Sequence, residues 1–255
     1  MGDAIGELRD DDPRALEARA ALQAGDLDAL ASLLDAYPGL ARARIVSLGR
    51  RRVARTLLHV FADWPGHNPR PREVVELLVA HGVELDAPVE GTSAETALHW
   101  AASSDDVDLI DALLDAGADM EARGAVIGGG TAIADATAFG QWRAAALLLA
   151  RGAHTNLFES AVLGLDDRVL AELDATPAPD PMQITHALWG ACHGGRRSTA
   201  ELLLGRGAEI DWVGWDGLTP LDVARRAADE PGLPDAAPLV PWLLARGARS
   251  ATDLA

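Results

Sequence analysis

The stretch Leu113-Leu114-Asp115-Ala116-Gly117-Ala118 recurs along this 255-residue chain with small changes. In each clear copy two leucines are followed by a short turn and then by glycine. A spacing of about 35 residues between copies predicts a repeat array, whose units bury their apolar faces by stacking on neighbours. Clear copies occupy residues 148–153, 203–208 and 243–248, and weaker ones lie at 33–35, 77–83 and 170–173.

The composition limits the possible functions. Apolar residues make up 49% of the chain, which is enough for a core, and the formal net charge is −17. Because such a chain repels phosphate backbones, we do not expect a nucleic-acid partner. All basic residues are arginines, which excludes a Schiff-base or phosphate-loop lysine.

The sequence also indicates the cellular setting. Cys192 is the single cysteine, so the chain cannot form an internal disulfide or a thiolate metal cluster. The polar, acidic segment Met1 to Asp12 lacks the pattern of a signal peptide. No segment approaches the ~18 consecutive apolar residues of a membrane helix. We therefore expect a cytoplasmic protein that does not enter a membrane.

The stretch Thr96-Ala97-Leu98-His99-Trp100-Ala101-Ala102, followed by Leu113-Leu114 and Gly117-Ala118-Asp119, resembles the ankyrin repeat. That family's pattern is Thr-Pro-Leu-His, paired alanines, Leu-Leu and Gly-Ala-Asp. Further copies begin at Thr56, Gly130 and Thr219, and the resemblance runs from about Pro13 to near the C-terminus. It implies an all-α ankyrin-repeat solenoid of helix-turn-helix units that binds another protein.

Elementary physical chemistry agrees with this resemblance. A threonine hydroxyl can cap the start of a helix, and paired alanines allow close helix packing. The Leu-Leu pair lies on the apolar face of the second helix, and glycine ends that helix in the left-handed conformation.

Aligning the copies gives the domain organisation. We predict a flexible acidic N-terminus over 1–12, a single ankyrin-repeat domain over 13–249 and a C-terminal tail over 250–255. Irregular segments, which we expect at helix ends or finger loops, lie at 50–52, 64–71, 128–130, 176–181 and 231–238. The predicted domain has about seven units, at 13–44, 45–86, 87–122, 123–156, 157–184, 185–213 and 214–249.

The resemblance also implies a concave groove that binds the partner. The two residues that directly follow the paired alanines point into such a groove, and so do some residues of the first helices. The Pro-rich segment 64–71 is an insertion beside it. The candidate partner- or ligand-binding residues are Asp63, Trp64, His67, Trp100, Ser103, Ser104, Phe139, Trp189 and His193. In contrast, His59 and His99 occupy the Thr-x-Leu-His position, for which the resemblance implies a structural hydrogen bond to backbone.

A second hypothesis is a small-molecule enzyme, and the sequence leaves enzymatic activity open. Aligned after the His position, Asp135 and Glu159 would stand on successive first helices as an acid–base pair for a hydrolase or isomerase. His193 and His67 are further catalytic candidates, and segment 64–71 would cover the pocket. No cofactor is expected. A metal site from Asp135, Glu159 and His193 is not expected either, because the sequence lacks a short ligand spacing.

Overall fold

A computed structural model describes residues 6–49, 51–233 and 236–255. Residues 1–5 of the predicted N-terminal segment, Arg50 of the arginine run, and Pro234 and Asp235 of the last irregular segment lie outside the described residues. The chain divides into two compact units, the first ending at His154 and the second beginning at Thr155. A single domain over 13–249 therefore stays a prediction.

The first unit is a two-layer stack of short helix pairs. The first helices of the pairs contact one another in chain order, and so do the second helices. Large apolar side chains such as Phe61, Leu78 and Leu113 are fully buried. The helices are α1 (Pro13–Ala24), α2 (Leu27–Ala36), α3 (Leu57–Ala62), α4 (Pro71–Ala80), α5 (Ala97–Ser103), α6 (Val107–Asp115), α7 (Ala132–Ala138) and α8 (Trp142–Ala150).

Threonine and histidine together fix the starts of α3 and α5. At α3, the Thr56 side chain accepts from the His59 N–H, and His59 Nδ1 accepts from the Thr56 N–H. His59 Nε2 donates to the Glu95 carbonyl at 3.0 Å, and His99 Nε2 donates to the Gly130 carbonyl at 3.4 Å. These are the structural hydrogen bonds that the family resemblance implies for both histidines.

A small three-stranded sheet, which was not predicted from the sequence, lies before α3 in the chain. It consists of β1 (Glu7–Arg9), β2 (Arg44–Leu48) and β3 (Arg52–Arg55), in that order. Strand β1 runs parallel to β2 with Leu8 opposite Ile45, and β2 runs antiparallel to β3 with Val46 opposite Ala54. Glu7–Arg9 therefore form a strand within the segment predicted to be flexible. Apart from this sheet, the regular secondary structure described in the first unit is helical, as predicted.

The second unit continues the pattern of helix pairs. Its core contains Leu188, Leu203 and Leu221, and the first helices α9, α11 and α13 contact in that order. A 3-10 turn, Trp215–Gly217, precedes α13. The predicted C-terminal tail includes a helix, capped by Ser250 and Asp253. The helices are α9 (Leu157–Leu163), α10 (Asp166–Leu173), α11 (Pro181–His193), α12 (Arg197–Gly205), α13 (Pro220–Ala228), α14 (Leu239–Leu244) and α15 (Ala251–Leu254).

Candidate functional site

The turns inside the helix pairs of the first unit are joined by hydrogen bonds into one edge. We call residues 63–70, 103–106 and 139–141 the turn edge. His67 bridges the first two turns, because its N–H donates to Asp106 Oδ2 at 2.6 Å and its Nε2 donates to the Ser104 carbonyl at 3.0 Å. Gln141 Nε2 donates to the Ser103 carbonyl at 2.9 Å, and this bond joins the second turn to the third.

The Pro-rich loop is the most prominent part of the turn edge. It connects α3 to α4, as expected for an insertion at a helix end. Trp64 is 84% exposed. Around it, Asp63 accepts from Arg55 Nη1 at 2.6 Å, and Asn68 Nδ2 donates to the Phe61 carbonyl at 2.7 Å. The loop thus displays an indole from a backbone that is fixed on both sides.

The contacts of His67 test the hypothesis that segment 64–71 covers a catalytic pocket. Both partners of His67 belong to the α5–α6 turn. The loop is therefore anchored to a neighbouring turn, which argues against its acting as a movable cover over a catalytic pocket. His67 is accordingly placed as an anchor of the loop.

Phe139 supplies a second exposed aromatic side chain on the turn edge. It follows α7 directly and is 48% exposed. Ser103 and Ser104 belong to the turn that is bridged to both neighbouring turns, and Ser103 Oγ donates to the Trp100 carbonyl at 3.0 Å. The half-buried Trp100 packs edge-on against His59, with ring centroids 5.1 Å apart. Trp100 therefore belongs to the packing behind the edge more than to its surface.

Asp135 is a buried carboxylic acid on α7. Its Oδ1 accepts weakly from the Ile127 N–H at 3.5 Å, while Oδ2 is buried without a partner among the described residues. Burial raises the pKa of Asp135 to about 7, and the nearby charge of Glu95 adds to this, whereas backbone hydrogen bonds from Ile127 and Val126 oppose it. A pKa in this range suits proton transfer, but the carboxyl group is closed off from solvent.

Glu159 has a different role from the predicted one. Asn156 caps α9, so Glu159 is the third helical residue and corresponds to His59, not to the position after it. Its carboxylate accepts from the Asn156 N–H at 2.9 Å and from Asn156 Nδ2 at 3.0 Å. The predicted equivalence with Asp135 is therefore wrong by one residue. The two acids also lie in different units, and Glu159 is occupied as a helix cap.

Trp189 and His193, the remaining predicted site residues, belong to an aromatic cluster in the second unit. Their rings are stacked 5.5 Å apart, and Trp189 Nε1 donates to the Leu218 carbonyl at 3.0 Å. Trp189 also meets Trp215 edge-on at 5.1 Å. The cluster as a whole consists of Phe158, His186, Trp189, His193, Trp212 and Trp215.

Four members of this cluster lie outside the set of candidate residues predicted from the sequence. Trp212 and Trp215 flank Gly214 in the loop that precedes the cap residue Thr219, and this spacing of tryptophans in a finger loop is the available signal. Phe158 and His186 gave no such signal, because each lies on a helix face that becomes distinctive only through packing.

The described residues give little support for a metal site, a catalytic thiolate or a membrane-spanning helix. Among them, no group of three or more His, Cys, Asp or Glu side chains is arranged to hold a metal ion. Cys192 is buried, and burial raises the pKa of its thiol, which disfavours a nucleophilic thiolate. Within the described parts of the chain, no helix has the length and apolar character needed to span a membrane.

Comparison with known proteins identifies the family. The family model described as Ankyrin repeats (3 copies) matches residues 18–124 and 72–159, which together cover more than half of the chain. The chain belongs to the ankyrin-repeat family. A search of curated proteins finds no match. The total of about seven repeats stays a prediction, because the matched residues end within α9.

Proposed function

We propose that this chain is a protein-binding module and that the turn edge of the first unit contacts its partner. The observation that carries the proposal is the exposure of Trp64 on a loop held by hydrogen bonds. Tryptophan is enriched among residues that dominate binding energy, and a preorganised loop loses little conformational freedom on association. Ankyrin repeats are in general protein-interaction modules, which agrees with this assignment.

The chemistry of the turn edge describes the partner's complementary surface. Trp64 and Phe139 offer exposed apolar area, and Ser103 and Ser104 offer hydroxyl groups on the turn between them. A partner would pack apolar side chains on the two rings and place hydrogen-bonding groups near the serines. The net charge of −17 favours a basic partner during diffusional approach.

Trp189 and His193 form a second contact region in this proposal. Trp189 is buried and its indole N–H is already bonded to Leu218. It therefore supports the ring of the half-buried His193, which is the group of this pair that a partner would touch.

Affinity capture from cells that produce the protein, with quantitative mass spectrometry, tests the proposal. Proteins enriched by the wild type should be lost with Trp64→Ala and reduced with Phe139→Ala. With the purified partner, calorimetry should show Kd at least about tenfold weaker for Trp64→Ala, as for a binding hot spot. The melting temperature should stay unchanged, because the indole is largely exposed.

The matched control is Tyr37→Ala, which removes an aromatic ring that is 39% exposed outside the turn edge. It should leave Kd unchanged. Equal affinity of the wild type, Trp64→Ala and Phe139→Ala for the captured partner would refute the proposed surface.

A further inference from the structure

A cavity of about 460 Å³ lies in the second unit, and the protein-binding proposal does not use it. Its size is within the range of pockets that hold small ligands. It is bordered by the start of α9, the end of α10, the segment 175–179 and the start of α11. Its lining combines apolar groups, such as Leu157, Phe158 and Pro177, with the polar side chains of Glu172, Gln183 and His186.

Glu172 sets the charge of this cavity. It is the one lining residue with a formal charge at neutral pH, and it is half-buried. Ser160 Oγ donates to its Oε1 at 3.3 Å, and burial raises the pKa of Glu172. Arg168 is nearby, but its guanidinium donates to Thr155 Oγ1 at 3.0 Å. The charge of Arg168 lowers the pKa of Glu172 from a distance, but among the described residues Glu172 has no ion-pair partner within 4.0 Å. A cation in the cavity would therefore be the counter-charge in direct contact with Glu172.

The helix starts at the cavity do not favour an anion. The Asn156 side chain accepts from the Glu159 N–H at 3.1 Å, and the Asp180 side chain accepts from the Gln183 N–H at 2.8 Å. The reciprocal bonds of both capping boxes are also formed, since Asn156 N–H donates to Glu159 and Asp180 N–H to Gln183. The N–H groups of the cap residue and of the third helical residue are therefore already used at both helix starts, which makes them unavailable to a carboxylate or phosphate.

The apolar wall of the cavity is held in place by the aromatic cluster. Phe158 packs edge-on against Trp215, with ring centroids 5.5 Å apart. His186 contacts Trp212 at 4.7 Å and Trp215 at 5.0 Å. Both rings line the cavity and are backed by tryptophan, so the wall is preformed. Aromatic faces attract organic cations, and proline rings offer further apolar contact.

We propose that this cavity binds an organic cation, namely an alkylammonium or guanidinium group on a short apolar chain. The charged group pairs with Glu172, and the chain lies against Phe158, Pro177 and Pro179. Free small amines and the arginine or lysine side chains of a protein share this chemistry.

Titration of the full-length protein tests the proposal. The probes are n-butylammonium chloride and acetyl-arginine methylamide, with 1-butanol as a neutral probe. Binding is followed by the indole N–H signals of Trp212 and Trp215 in NMR spectra. Both cations should give saturable shifts with millimolar Kd, as for ligands with few heavy atoms. Glu172→Gln should weaken both by about tenfold or more, because a charge-assisted hydrogen bond is lost.

Two further variants keep the result decisive. Glu201→Gln removes the same charge from an exposed site on α12 and should bind as the wild type does. Ala178→Phe fills the cavity from an exposed lining position without changing charge and should abolish binding, even if Glu172→Gln were to fold poorly.

The two cations distinguish the source of the ligand. Tighter binding of the arginine probe by tenfold or more favours a protein side chain, and equal or tighter binding of butylammonium favours a free amine. Absence of saturable shifts with both cations, equal binding of 1-butanol, or unchanged binding by Glu172→Gln would overturn the proposal. None of these outcomes depends on Trp64 or on the partner of the turn edge.

Discussion

At the scale of single residues, Asp135 stands out because its environment favours the neutral acid. The side chain is buried, one oxygen has no partner among the described residues, and Glu95 adds negative potential. The ionised form of Asp135 is therefore unfavourable in the folded protein. The backbone N–H groups of Val126 and Ile127 offset this cost only in part.

We predict that Asp135→Asn stabilises the protein increasingly as pH rises. The pKa of Asp135 is about 7 in the folded state, against an ordinary value of 3.8 for an aspartate exposed to water. Between these values the folded protein keeps a proton that the unfolded chain releases, so stability falls as pH rises from about 4 to 7. At about 1.4 kcal/mol per pKa unit, the advantage of the variant should grow by about 2 kcal/mol between roughly pH 5.5 and pH 8.

Urea denaturation of both proteins at the two pH values measures this difference. Asp108→Asn, at an exposed site on α6, is the control and should show no comparable growth. A stability difference for Asp135→Asn that does not change with pH would contradict the assignment of a raised pKa.

Comparison of Glu159 with His59 shows what sequence can reveal about single residues. The threonine–histidine pair at α3 follows a family pattern, so its hydrogen bonds could be predicted. At α9 the chain offers Thr155 and Asn156 as alternative caps, and the choice between them decides whether Glu159 serves as cap or as groove residue. The folded structure decides between them. Thr155 Oγ1 is hydrogen-bonded to Ser160 Oγ at 2.8 Å, and Asn156 caps the helix.

At the scale of elements, Asp106 connects the Pro-rich loop to α6. It is almost fully buried, and its Oδ1 accepts from the Leu109 N–H at 3.2 Å as the cap of α6. Its Oδ2 accepts from the His67 N–H at 2.6 Å. One carboxylate thus begins a helix and fixes the loop that carries Trp64.

We predict that Asp106→Ala lowers the free energy of unfolding by about 2.5–4 kcal/mol. A lost helix cap costs about 1 kcal/mol, and a lost hydrogen bond to a charged acceptor about 1.5–3 kcal/mol. Limited proteolysis within residues 64–71 should also become faster. The control Asp108→Ala changes an exposed residue in the first turn of the same helix and should cost less than about 0.5 kcal/mol. Equal losses for the two variants would show that Asp106 does not connect the elements.

Elements with local signals were predicted better than those made by distant pairing. Leu-Leu, glycine and the cap residues lie within one helix pair, which is why the helices and the position of the Pro-rich loop could be anticipated. The strand Glu7–Arg9 pairs with Arg44–Leu48, far along the sequence, and three residues are too few to show an alternating pattern. The aromatic cluster is likewise assembled from separate helices and a finger loop.

At the scale of the whole molecule, repulsion between acidic groups opposes many surface ion pairs. The chain has 39 acidic and 22 basic residues, which leaves a formal charge of −17. Arg72 and Arg151 both bridge Asp111 and Asp115, and this network joins α4 and α6 to the residue that follows α8. Exposed pairs each contribute only about 0–1 kcal/mol, and salt screens them together with the repulsion.

We predict that repulsion prevails, so that raising NaCl from about 10 mM to 300 mM stabilises the protein by about 1 kcal/mol at pH 7. Seventeen uncompensated negative charges act over distances comparable to the Debye length, whereas the ion pairs are partly solvated and each contributes little. Asp115→Asn removes part of the attractive network, so its gain with salt should be larger than that of the wild type. Thermal and urea unfolding across the salt series measure both quantities. A loss of stability with salt in the wild type, together with a smaller loss in Asp115→Asn, would instead show that the ion-pair network dominates.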